Sequence, residues 1–90
     1  MAHVFARLNG VKFEAIKQKL AEDAAEHAEN GMYLEQIWRN FDNSDEVVFL
    51  FRVNDLNHCK ELMKKRHSEA LRNDPNAKLP ELTFLDEPQA

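Results

Sequence analysis

Residues 47–53 read Val-Val-Phe-Leu-Phe-Arg-Val, the most apolar segment of the 90-residue chain. The run is short and built from β-branched and aromatic side chains, which predicts a strand. On strand spacing, Val47, Phe49, Phe51 and Val53 share one face, and Val48, Leu50 and Arg52 share the other. A strand with one face in water alternates apolar and polar residues. Here both faces are apolar until Arg52, so the sheet that holds this strand needs a cover on each side.

The other elements are legible around it. Residues 3–8 predict a first strand, with Val4, Ala6 and Leu8 on one parity and His3, Phe5 and Arg7 on the other. Asn9-Gly10 breaks it. A single helix is expected over 12–29, with Phe13, Ile16, Leu20, Ala24 and Ala28 as its apolar stripe. Asn30-Gly31 is its stop signal. Residues 32–40 predict the second strand, in which Tyr33 and Trp38 fall on opposite parities. The polar run at 42–45 makes a hairpin connection into residues 47–53. Asp55 is placed to cap a second helix reaching about residue 72, whose stripe is Leu56, Cys59, Met63 and Ala70, flanked by Leu62 and Leu71. Asp74-Pro75 ends it. Residues 82–85 predict a short last strand, and 86–90 a tail.

The order βαββαβ implies an α+β, ferredoxin-like sandwich: one domain over 1–90, with a four-stranded antiparallel sheet and two helices on one face. Two helices cover one face only. The second face then needs a second subunit, a small ligand or a nucleic acid. A chain this short has a modest core, and self-association adds buried area. A formal net charge of −4 and a pI near 5.5 disfavour nucleic acid. The third strand also lacks the basic-Gly-aromatic signature of RNA-recognition modules, although Phe49 and Phe51 share a face as stacking aromatics would. No apolar stretch approaches the roughly 20 residues that span a bilayer, so no membrane partner is expected. The single cysteine, Cys59, excludes an intramolecular disulfide and suits a reducing compartment. With no signal peptide visible at the N-terminus, the expected location is cytoplasmic.

Several stretches carry a family likeness. Gly31-Met32, the strand ending Ile37-Trp38-Arg39, the polar loop into Glu46-Val47-Val48, then Asn54-Asp55-Leu56 and Pro80-Glu81-Leu82-Thr83-Phe84-Leu85 resemble small bacterial proteins of the dimeric α+β barrel superfamily, antibiotic biosynthesis monooxygenase-like proteins among them. The likeness covers the C-terminal two-thirds well and the first strand and helix loosely. It implies a homodimer in which two sheets pack face to face into a barrel, with a cleft between sheet and helices in each subunit. The superfamily spans oxygenases, isomerases, cyclases and proteins without known activity, so the likeness assigns no catalytic residue.

Candidate chemistry is sparse. With Val4, Ala6 and Leu8 turned to the helices, His3, Phe5 and Arg7 face the barrel. Together with Trp38, Leu50 and Arg52 they form the candidate ligand-binding set. A His or Arg there can move a proton or hold an anionic oxygen. The bland alternative pairs Arg7 and Arg52 with carboxylates across a dimer and leaves His3 at a wet strand end. His58 and His67 are nine residues apart on one helix and His27 lies on the other, so no pair has helical metal-site spacing; no metal and no cofactor are expected. Cys59 reads as a small buried hydrophobe. Lys64-Lys65-Arg66-His67 reads as a solvated face pairing with Glu61 and Glu69. Two functions follow: a cofactor-free monooxygenase-like enzyme acting on a small aromatic or polyketide-like substrate, or a non-catalytic homodimeric ligand-binding or interaction protein.

Overall fold

The alternation in the third strand is realised in full. A computed structural model describes residues 2–88 and contains β1 (Ala2–Asn9), α1 (Phe13–Glu22), α2 (Ala24–Glu29), β2 (Met32–Arg39), β3 (Glu46–Val53), α3 (Leu56–Asn73) and β4 (Glu81–Leu85). The strands form one antiparallel sheet in the order β2-β3-β1-β4. This is the expected ferredoxin-like topology, with β3 and β1 central. Val47, Phe49, Phe51 and Val53 are buried with Val4, Ala6 and Met32 on the helix side. Phe13, Ile16 and Leu20 of α1 and Leu56, Leu62 and Met63 of α3 pack onto that layer. Cys59 is fully buried within it, and burial pushes its thiol pKa up. Among the described residues, no helix is long and apolar enough to cross a membrane.

The local signals that hold are the ones with a clear physical cause. Asp55 caps α3 by accepting from the backbone N–H of His58 at 3.1 Å. Asp74 is extended, as a residue before proline must be, and ends it. In the hairpin, the Asn40 carboxamide oxygen accepts from the amides of Asp42 and Asn43, while its NH2 donates to Glu46 at 2.9 Å. Residues 86–88 form no regular structure, and 89 and 90 of the expected tail lie outside the described residues.

Two expectations change. The first helix is not continuous: Asp23 leaves helical geometry (φ −91°, ψ 1°) and separates α1 from α2. Asp is a poor helix-interior residue, and here its carboxylate pairs with Lys19 at 3.4 Å. Past this break the inward stripe passes through Asp23, His27 and Asn30, while Ala24 and Ala28 are exposed. In β2, a bulge shifts the register between Leu34 and Gln36. Tyr33 stands opposite Arg52 and Trp38 opposite Val48, so the extra residue brings both aromatics to the open sheet face despite their opposite parities.

Gly31 leads from α2 into β2 at φ +71°, in the left-handed region. A Cβ there would lie 3.2 Å from Asn54 Cβ. Gly31→Ala is expected to lower stability by about 1–2 kcal/mol from the backbone alone, and more from the contact. Urea unfolding of the two proteins checks this.

Candidate functional site

The helices do not fill the sheet face they cover. Between α1–α2 and α3 lies a cavity of ≈250 Å³, partly open to solvent. Its floor is Val4 and Ala6 of β1 with Phe49 and Phe51 of β3. One wall is Leu20, Asp23, Glu26, His27 and Asn30; the other is Leu62, Met63, Arg66 and His67. Pro80 and Leu82 close the end beside β4. His67 also borders a more open space of ≈290 Å³ under α3, and His27 a groove of ≈520 Å³ running toward β2.

The polar groups of the first wall, Asp23, Glu26, His27 and Asn30, lie at and after the break between α1 and α2. With the helix interrupted, Glu26, His27 and Asn30 turn toward α3. Arg66 pairs with Glu26 across the gap instead of with Glu61 or Glu69, so the expected solvated basic face is half engaged in tying the helices together. Asn30 accepts from His58 Nε2 at 3.2 Å in a second tie. Both are partly exposed, and an exposed ion pair contributes roughly 0–1 kcal/mol. The His27 ring stands edge-on to Phe51, with centroids 5.0 Å apart at 75°. Burial is the main cause that lowers the pKa of His27 below 6.5; Asp23 and Glu26 oppose it, and Arg66 and Lys19 add to it. Burial alone lowers that of His67. Two imidazoles of lowered pKa therefore border a recess with an apolar floor, whose walls also carry Asp23, Glu26, Asn30 and Arg66.

The six residues singled out from the sequence, His3, Phe5, Arg7, Trp38, Leu50 and Arg52, all lie on the opposite, open face of the sheet. None of them lines the cavity. Glu35, at the bulge, ties two of this face's groups together. His3 Nε2 donates to its Oε1 at 2.8 Å, and Arg52 Nε lies 3.9 Å from its Oε2. Arg52 also stacks over Tyr33, 4.8 Å from the ring centroid. Arg7 sits 3.7 Å from Glu46. Around these, Phe5, Val48 and Leu50 form a half-buried apolar strip with Trp38 and Leu85 exposed beside it. Among the described residues, no group of three or more His, Cys, Asp and Glu side chains is placed to hold a metal ion.

No family model matches the chain, and no curated protein matches it. Among solved structures, a candidate antibiotic biosynthesis monooxygenase from Deinococcus radiodurans is similar to it, with a TM-score of 0.64 over 100% of this chain and 95% of that one, at 13% sequence identity. At that identity the likeness speaks for the fold, and it agrees with the ferredoxin-like topology described above.

The imidazoles give a pH signature. A His whose folded pKa is lowered contributes stability that is fully present above its unfolded value of 6.5 and is lost as the pH falls below it toward the lowered value. The urea midpoint is expected to drop as pH falls from about 7.5 to about 5.5, and the slope to flatten in a His27→Gln, His67→Gln double variant. Equal slopes for the two proteins would assign the dependence to other groups.

Proposed function

We propose that the protein is a homodimer whose open sheet faces pack on each other as an α+β barrel, and that the helix–sheet cavity of each subunit binds a small aromatic or polyketide-like molecule. The reaction assigned to it is monooxygenase-like and cofactor-free, in the cytoplasm. The observation that carries this reading is the cavity of ≈250 Å³ with an apolar floor, bordered by two imidazoles of lowered pKa. Convergent polar groups in an apolar recess are the usual make-up of a small-molecule site. The name of the Deinococcus neighbour supports the reaction class.

The dimer rests on the other face. Phe5, Val48 and Leu50 form an apolar strip with no helix above it, and both signs of charge border it, Arg7 with Glu46 and Arg52 with Glu35. A face that carries both signs can complement itself about a two-fold axis. The six residues read from the sequence then belong to the barrel interior formed by two subunits, with His3 and Arg52 held by Glu35.

One feature favours a non-catalytic carrier. Among the described residues, neither cavity imidazole is held by a carboxylate, the partner that usually orients a catalytic base. Native mass spectrometry of the purified protein, followed by dioxygen uptake on the retained ligand, separates the two. Uptake with a product heavier by oxygen marks the enzyme; a ligand released unchanged marks the carrier.

Light scattering is expected to give a mass near twice 10.5 kDa. Leu50→Arg, on the open face away from the helix-side core, is expected to yield a folded monomer. A wild-type monomer at all concentrations would overturn the dimer.

A further inference from the structure

The chain has four histidines, and they fall into two kinds. His3 donates to Glu35 and His58 to Asn30. The rings of His27 and His67 have no hydrogen-bond partner among the described residues, and both border the cavity, one from each helical wall. Packing against Phe51 sets the orientation of the His27 ring. The charged groups that line the cavity itself, Asp23, Glu26 and Arg66, are already engaged. Asp23 holds Lys19, and Arg66, the cation on this wall, is held by Glu26. An entering carboxylate would meet Asp23 and Glu26 and would have to take Arg66 from its partner. An entering hydroxyl would meet two imidazole nitrogens with nothing to break first.

We propose that His27 and His67 are the polar recognition groups of this cavity, and that they make it select small uncharged ring compounds bearing a hydroxyl, phenols above all, over carboxylates and over bare hydrocarbons. The ring lies against Phe49, Phe51 and Met63. The hydroxyl donates to an imidazole nitrogen and accepts from an imidazole N–H. This rests on the cavity being the ligand site, and it adds which residues read the ligand and which chemistry they reject. Asp23 and Glu26 supply the rejection of anions. The imidazoles supply the preference over hydrocarbon, because a bound hydrocarbon shields them from water without giving them a hydrogen-bond partner.

The test uses three monosubstituted benzenes, phenol, toluene and benzoate, titrated into the protein at pH 7.5 and followed by NMR shifts of the histidine ring protons and the Phe49 and Phe51 amides. Phenol is expected to bind about tenfold more tightly than toluene, the size of one good hydrogen bond, and benzoate more weakly than either. In a His27→Leu, His67→Leu variant the phenol preference is expected to vanish while toluene still binds. In His27→Gln, His67→Gln, which keeps hydrogen-bonding groups and guards against a fold lost to the Leu changes, the preference is expected to persist. Toluene equal to phenol in the wild type, or a phenol preference that survives the Leu changes, overturns the role of the histidines and leaves the cavity site standing. Shifts from none of the three overturn both.

Discussion

Phe49 and Phe51 cannot both lie in water, and the position of nearly every other element follows from covering them. They are neighbours on one face of β3, edge-to-face with ring centroids 5.9 Å apart. Burying each side chain is worth roughly 1.5–3 kcal/mol, against the roughly 5–15 kcal/mol by which a domain exceeds its unfolded state. The sheet supplies the flanks: Val4 and Ala6 from β1, Leu34 and Ile37 from β2, each paired in register with one of the two phenylalanines. The helices supply the lid. Two helices lying on a four-stranded sheet leave a seam where they diverge, and the side chains over the seam are long and flexible, Leu62, Met63 and Arg66. The cavity is that seam.

The bulge at Glu35 is the counterpart on the open face. Without it, Tyr33 and Trp38 would sit on opposite sides of the sheet, and one aromatic would crowd the helices. One extra residue turns both to the open side. It also frees Glu35 to reach His3 on a strand two places away, across β3, where it meets Arg52 as well. A polar triad at the edge of an apolar strip suits an interface rim, where charges set register and the apolar centre supplies most of the burial. The same bulge interrupts a sheet-edge strand, which discourages uncontrolled strand addition there.

Much of this was legible because it depends on period and punctuation. The two faces of β3, the Asp55 cap, the Gly31 stop and the Asp74-Pro75 end are local statements whose causes lie within a few residues. What was not legible depends on a single residue's geometry. A bulge has no reliable mark in one sequence, so the parities of Tyr33 and Trp38 were read without it. The stripe after Leu20 can continue through Ala24 and Ala28 or through Asp23, His27 and Asn30, both at helical spacing; hydrophobicity favours the alanines, but in the structure Ala24 and Ala28 are exposed and Asp23, His27 and Asn30 half-buried. His27 and His67 stand on separate helices, as the sequence implies, and only the fold shows that both border one recess. A faint signal existed. The spacing 13, 16, 20, 23, 27, 30 is an unbroken helical series, and polar residues on such a series point toward whatever the helix faces.

Polar side chains on an inward stripe need a reason, since alanine or leucine in their place would close the seam. At about 24 cal/mol per Å³, an empty enclosed apolar volume of ≈250 Å³ would cost about 6 kcal/mol, and the partial opening to solvent makes that an upper bound. A short chain with a modest core has little stability to set against even part of that cost. Larger apolar side chains at 23, 27 and 30 would fill the space and remove two titrating imidazoles from the core's edge. The chain instead carries Asp, His and Asn there, and a His at 67 facing them. Asp23 and Asn30 have structural partners in Lys19 and His58, whereas the rings of His27 and His67 have none among the described residues, and the proposed ligand site would give those two a role.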